Sequence, residues 1–362
     1  MIPSHKIGFG IIGTGAIAGI HATCIRQIQN AELIAMASSS ESRAKEATER
    51  FNVPVYSDYN LLIQNSNIDI ICICTRSGSH LEPTLAAARA GKHVLCEKPL
   101  EVTVERAQEM IIACKKEGVK LGCIFQNRFS PDFMELKNAI DEGWLGKLLM
   151  AKASINWYRN ASYYAESNWR GTIDGDGGAA LINQGIHTID LLLNIMGEVK
   201  SVYGKVKTMV HKIEGEDTAN VIIDFKNGAF GNITAGTSLY PGYPERLEIY
   251  GEKGSVILEA GKIINWNILD HERIVPEETG KKNSGSSDPM AITHDLHRVQ
   301  YVNMIEAVIN NKEPLVNGEE GLKSIKLIRG IYNSAAQKKE IDLSERIPRS
   351  SAARRVNYKS DN

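Results

Sequence analysis

Two sets of residues in this chain have the types and spacing to handle a proton. The first is Cys96-Glu97-Lys98-Pro99, which follows the buried-looking run His93-Val94-Leu95. A residue before proline is pushed out of the helical region into an extended one, so Lys98 should leave a strand end with its side chain presented. The second is a polar stripe on an apolar helix expected over 179–196. Asn183, His187 and Asp190 stand at i, i+4 and i+7, which places all three on one helix face. Polar groups on such a helix must be hydrogen-bonded or face a cavity. His187 is then either an interior histidine satisfied by Asp190, or the partner that Lys98 needs across a cleft.

A proton acceptor alone does not oxidise an alcohol, because the hydride must go elsewhere. The N-terminal stretch offers a place for a hydride carrier. A buried strand over 6–12 ends in Gly13-Thr14-Gly15-Ala16-Ile17-Ala18, and a helix follows to about Gln29. This is the dinucleotide-binding glycine pattern with alanine in the third slot, in its proper strand-then-helix setting. The first glycine makes the tight turn. The second lets backbone N–H groups approach a pyrophosphate at the helix N-terminus. An acidic residue that would hold the ribose hydroxyls is expected at the end of the second strand. Here that end reads Ser38-Ser39-Ser40, with Arg43 just beyond. NAD and NADP both remain open, and Arg43 is either a phosphate contact or a solvated helix residue.

The elements that must position these residues alternate regularly through the first third of the chain. Strands are expected at 33–37, 55–56, 68–75, 93–96 and 119–125, with helices between them and short glycine-containing links. This is the pattern of a doubly wound parallel sheet. Strand ends in such sheets face the ligand crevice, so Thr75 and His80 are candidates to line the nicotinamide side. His80 is equally readable as a helix-start residue. From Pro131 the pattern changes to a helix, a long strand over 147–157, and several alternating segments between 201 and 266. Asn227-Gly228 is a strong hairpin signal among them. A second, mostly antiparallel sheet is expected, then a polar loop over 277–289, helices over 294–310 and 319–336, and a loose basic tail over 346–362. The domain expectation is 1–128, 129–345 and the tail.

The bulk composition fits this division. A chain of 362 residues, 43% hydrophobic and 23% charged, is comfortable for two domains. A net charge of −1 gives no pull toward nucleic acid or anionic lipid. No apolar run is long enough to span a bilayer, and the N-terminus lacks a signal-peptide layout, so a cytoplasmic enzyme is expected. The six cysteines read as free buried thiols. His211, His294, Asp295 and His297 make no convincing metal set, and no metal is expected.

Four stretches together resemble the glucose–fructose oxidoreductase / inositol dehydrogenase / rhizopine catabolism (Gfo/Idh/MocA) family over nearly the whole chain. They are the glycine turn from Gly13, the run from Ala90 to Pro99, Asn127-Arg128-Phe129, and Gly177-Gly178 leading to Asn183-Gln184-Gly185-Ile186-His187-Thr188-Ile189-Asp190. The resemblance implies an N-terminal Rossmann domain and a C-terminal domain with a large open sheet flanked by helices. It implies an NAD(P)-dependent enzyme acting on a sugar, cyclitol or related polyol, assembled as a homodimer or homotetramer through the second-domain sheet. It makes Lys98 and His187 the catalytic pair. Glu97 is expected to position Lys98 or the cofactor, and Asn127 to meet the cofactor.

Two departures from the family pattern bear on chemistry. Asn183 stands where several members carry aspartate, and an amide cannot act as a base. Arg76 follows Thr75 where many members have proline, which adds a cation and favours an anionic substrate. An imidazole ordinarily titrates near ~6.5 and a lysine near ~10.4, so His187 is the expected base and Lys98 the stabiliser of alkoxide charge. Asn183 is the orienting group. Tyr158, Tyr163, Tyr164, Trp169, Arg170 and Arg128 are the candidates for holding substrate, with aromatic packing at a domain edge as the plainer reading. Two other functions fit the same residues: a glycosidase that uses bound NAD without net oxidation, and a non-catalytic dinucleotide sensor.

Overall fold

The computed structural model describes residues 6–274 and 294–344. The expected polar loop and basic tail lie outside the described residues. Two compact units divide the chain, one holding 6–129 and 294–325 of the described residues, the other 130–274 and 326–344.

In the first unit, β1 (Ile7–Ile12), α1 (Ala16–Arg26), β2 (Ala31–Ala37), α2 (Glu41–Phe51), β3 (Val55–Tyr56), α3 (Tyr59–Ile63), β4 (Ile70–Ile73), α4 (Leu81–Arg89), β5 (His93–Cys96), α5 (Val104–Lys116) and β6 (Leu121–Cys123) alternate. The six strands pair in parallel in the order β3-β2-β1-β4-β5-β6. The order reverses at β1, and such switch points are where open α/β sheets bind ligands. Strands β1 and β4 are buried almost throughout, as helices on both faces require.

The second unit contains α6 (Pro131–Asp141), β7 (Leu148–Asn156), α7 (Ala161–Ala165), α8 (Ile186–Met196), β8 (Val199–Lys207), β9 (Thr218–Phe225), β10 (Phe230–Gly236), β11 (Arg246–Gly251), β12 (Gly254–Glu259) and β13 (Lys262–Ile268). Further on come α9 (Asp295–Ile309), α10 (Gly318–Gln337) and β14 (Ile341–Asp342). An eight-stranded sheet runs β13-β12-β11-β7-β10-β9-β8-β14, antiparallel except for the parallel pair β7–β10. Alternation sets its two faces. Ala151, Ala153, Ile155, Val221, Ile223, Ile233 and Ile249 are buried, while Ile222 and Phe230 on the other face stay more than half exposed. Asn227-Gly228 turns β9 into β10, with Gly228 at φ +87°.

The domain expectation needs one correction. The helix α9 and the start of α10 belong to the first unit, not the second. The reason is packing: Tyr301, Met304 and Ile305 on α9 complete the apolar core formed by Phe9, Ile11, Ile25 and Cys72. Gln300 ties the helix down, accepting from the Phe125 N–H at 3.1 Å and donating to the Cys123 carbonyl at 2.7 Å.

Candidate active site

The first unit forms a dinucleotide cradle. Gly13 ends β1 at φ +109°, and a Cβ there would meet the Cys74 carbonyl oxygen at 2.4 Å. Only glycine makes this turn without strain. A Cβ at Gly15 would meet nothing within 4 Å, so Gly15 borders open space. The helix α1 starts there with Ala16 and Ile17 and has no side-chain cap. Uncapped N–H groups with a helix dipole behind them suit a pyrophosphate. The Thr14 and Ser38 hydroxyls, 3.1 Å apart, join the glycine turn to the end of β2. Ser40 caps α2 and Arg43 Nη1 donates to Ser39 at 3.2 Å, which holds the guanidinium at the β2 end. Thr75 donates to the Ser79 carbonyl at 2.9 Å, and Asn127 is half-buried in a short 3-10 turn.

Lys98 leaves the carboxyl end of β5, and the Lys98–Pro99 peptide bond is cis. Its backbone N–H donates to Glu97 Oε2 at 2.9 Å. The other Glu97 oxygen accepts from His21 Nε2 at 2.8 Å, and His21 Nδ1 lies 2.6 Å from the Tyr301 hydroxyl. Burial alone would raise the Glu97 pKa, but the His21 hydrogen bond and charge, with His297 and Lys98, outweigh it and hold the group down at about 2. Glu97 is thus a buried carboxylate spent on His21 and the Lys98 main chain, so it anchors the lysine's backbone. The sequence reading missed His21. A lone histidine on the apolar face of α1 was its one visible signal.

Two expectations in this unit are corrected. His80 does not present its ring to a ligand: it is 1% exposed, and Nδ1 donates to the Pro99 carbonyl at 2.9 Å. It braces the loop that carries Lys98. Arg128 is not the exposed cation expected: it is 4% exposed and pairs with Glu320 at 2.8 Å, so its guanidinium helps to hold α10.

In the second unit, the expected helix over 179–196 is two pieces. Residues Ala180–Gly185 form a π-helical turn, and α8 follows. The N–H groups of Asn183 and Gln184 both reach the Ala179 carbonyl, at 3.2 and 3.3 Å. The second bond spans five residues, which defines the π turn and breaks the uniform 3.6-residue period. His187 and Asp190 still share a face of α8, while Asn183 sits in the wider turn before it. Such turns inside α-helices recur at functional sites.

Glu216 holds the start of this turn. Its carboxylate accepts from the Leu181 N–H at 2.7 Å, the Ala179 N–H at 3.2 Å and the Tyr332 hydroxyl at 3.0 Å. Burial pushes its pKa up to about 7 against the pull of those donors. The approach requires the glycines of the sequence motif. Gly178 stands at φ +147°, and a Cβ there would lie 2.2 Å from the Tyr332 oxygen and 3.0 Å from Glu216 Oε2. Nothing local in the sequence marks Glu216, because a glutamate in a polar loop reads as solvated.

Asn183 is held from both ends. Its Nδ2 donates to buried Asp176, and its Oδ1 accepts from Gln184 Nε2 at 2.8 Å. Gln184 Nε2 also reaches the Tyr163 hydroxyl at 2.8 Å, and Gln184 Oε1 accepts from Arg159 Nη2 at 2.7 Å. Arg170 lies over the Tyr163 ring at 4.4 Å and donates to the Tyr163 carbonyl. Tyr158 packs edge-on to Tyr240, and Trp169 is half-buried with its Cβ near Gly175. The aromatics therefore do pack with one another, around a polar network that runs from Arg159 to Asp176. No cluster of three or more histidine, cysteine, aspartate or glutamate side chains suited to a metal occurs among the described residues. No described helix is long and apolar enough to cross a membrane.

The comparisons with known proteins agree over both units. Residues 7–125 match the model described as oxidoreductase family, NAD-binding Rossmann fold, and 137–343 match oxidoreductase family, C-terminal alpha/beta domain. The myo-inositol 2-dehydrogenase of Thermotoga maritima is 30% identical, over 93% of this chain and 98% of that one. The scyllo-inositol 2-dehydrogenase (NADP(+)) IolW of Bacillus subtilis is 26% identical, over 93% and 96%. The WlbA dehydrogenase of Bordetella pertussis, solved in complex with NADH and UDP-GlcNAcA, superposes with a TM-score of 0.84 at 30% identity, covering 94% of this chain and all of that one. With its glycine turn, its Lys98 strand end and both family models matched along the chain, this protein belongs to the Gfo/Idh/MocA oxidoreductase family.

Proposed function

We propose that this protein is an NAD(P)-dependent dehydrogenase that moves a hydride between nicotinamide and a ring carbon of a sugar, cyclitol, uronate or nucleotide sugar. The observation that carries the reading is Lys98 at the carboxyl end of β5 in a dinucleotide-binding sheet, with its backbone anchored by the buried Glu97–His21 pair. Bound nicotinamide supplies the hydride acceptor. The chain's own residues must then manage the hydroxyl proton and its developing charge. His187 takes the proton, since imidazole is the side chain that titrates nearest neutral pH. Lys98 stabilises the oxygen as it becomes an alkoxide. Asn183 orients the substrate hydroxyl.

The end of β2 bears on cofactor choice. It offers hydroxyls and Arg43, with no carboxylate at Ser38, Ser39 or Ser40 and the first one in sequence, Glu41, at the start of α2, so the strand end itself does not repel a 2′-phosphate. NAD remains the first cofactor to test, because the WlbA relative was solved with NADH. Trp169, Tyr158 and Arg170 supply apolar ring platforms and a cation on the substrate side, which suits a carboxylated or phosphorylated sugar.

The protein acts in the cytoplasm, as its composition suggests. It assembles as a homodimer or homotetramer through the open face of the eight-stranded sheet, where Tyr203 and Ile222 are cross-strand partners and Phe230 stands exposed on β10. The relatives named above are dehydrogenases, which favours neither the redox-neutral glycosidase nor the sensor. The test is absorbance at the reduced-nicotinamide band with NAD or NADP against hexoses, inositols, uronates and nucleotide sugars. A signal with one class supports the reading. Silence across the panel from protein that still binds the dinucleotide overturns it.

A further inference from the structure

We propose that Asp176 is a positioning residue for Asn183: its buried carboxylate decides which way the Asn183 amide faces, and makes residue 183 an amide site. This deepens the proposed function, and rests on it for the claim that Asn183 meets substrate. The argument begins with donors and acceptors. A guanidinium only donates and an ionised carboxylate only accepts, whereas an amide does both and can be flipped. Arg159 stands at one end of the network and Asp176 at the other, 3% and 1% exposed. Because Arg159 donates through Nε at 3.1 Å and Nη2 at 2.7 Å, the Gln184 oxygen must face it. The Gln184 nitrogen therefore faces Tyr163 and the Asn183 oxygen. The Asn183 nitrogen is then left to face Asp176. Asp176 is itself fixed, since its second oxygen accepts from the Gly171 N–H at 2.9 Å. Both amide orientations follow from the two charged ends, and a wrong flip at either would set like groups against each other in a buried site.

The same geometry disfavours an ionised carboxylate at position 183. Asp176 is buried and Asn183 partly so, and two carboxylates at hydrogen-bond distance there do not both ionise near neutral pH, so one must hold a proton. Asp176 acts on the Tyr163 and Tyr164 phenols, and Arg159, Arg170 and Glu216 act on one or other of those same phenols. The hydrogen bond between Asn183 and Asp176 is direct.

The test compares the full chain with Asn183→Asp, Asp176→Asn, and the exchanged double variant D176N/N183D. Urea unfolding from about pH 5 to about pH 8 is the first readout. Asn183→Asp should lose stability relative to wild type as pH rises, because its extra proton is released. The double variant has a single carboxylate, so its difference from wild type should be pH-independent, and it should be more stable than Asn183→Asp at about pH 8. Turnover of myo-inositol and UDP-GlcNAcA with NAD is the second readout. Both single variants should lose kcat by about tenfold or more, with the double variant recovering part of it. A pH-independent difference for Asn183→Asp, or a double variant no better than the weaker single variant in both readouts, overturns the proposal. If wild type turns over neither compound, the first readout alone decides the pairing, while the dehydrogenase panel judges the function separately.

Discussion

Replacing Glu216 by glutamine should change how stability depends on pH, and the size of the change follows from the structure. The carboxyl is fully buried at the start of the turn that carries Asn183, and its pKa stands near 7 against an ordinary 4.5. A carboxyl with a raised folded-state pKa binds its proton more tightly when folded. Its stabilising contribution is therefore fully present below about 4.5 and is lost as pH rises through about 7. At about 1.4 kcal/mol per pKa unit, the loss is on the order of 3 kcal/mol. Glutamine does not titrate. It also presents an NH₂ group to one of the two backbone donors, Ala179 or Leu181, at a roughly pH-independent cost of about 1–3 kcal/mol. Wild type should then be the more stable protein at about pH 5, and the gap should shrink by about 3 kcal/mol by about pH 8. Urea denaturation of both proteins at several pH values, followed by circular dichroism and compared at a common m-value, measures it. A difference that stays constant within about 1 kcal/mol across that range would refute the reasoning, since Glu216 would then carry the same charge folded and unfolded.

Three further outcomes are expected. Lys98→Ala should lower turnover by roughly 10²–10⁴-fold while dinucleotide affinity, read by titration calorimetry, stays within about threefold of wild type; wild-type turnover would remove the lysine from the chemistry. His187→Gln should flatten the acidic limb of the pH–rate profile, and an unchanged limb would reassign the base. Gly178→Ala should destabilise the protein by about 3 kcal/mol or more in thermal unfolding, because the new Cβ would lie 2.2 Å from the Tyr332 oxygen at a φ of +147°. A near-neutral result there would mean that Tyr332 and Glu216 do not pack against the motif glycines.

Much of this protein was legible in its sequence because local backbone rules write themselves into local patterns. Buried parallel strands are continuous apolar runs, open-sheet strands alternate, and the tight turn before the helix N-terminus needs Gly13. The glycine turn, the strand end at Lys98 and the change of architecture near Pro131 could all be read this way. Partner choice could not, because it joins residues far apart in the chain. His80 and Arg128 look like crevice residues until Pro99 and Glu320 are seen to occupy them. The helix α9 looks like part of the second domain until Tyr301 is found in the first core. The π turn is a one-residue slip in hydrogen-bond register, which no hydrophobic period records. Glu216 and Asp176 are glutamate and aspartate in polar, glycine-rich stretches, and only tertiary folding removes them from water. Composition and spacing determined which residues were able to do chemistry here; long-range burial and hydrogen bonding decided which of them are held in place to do it.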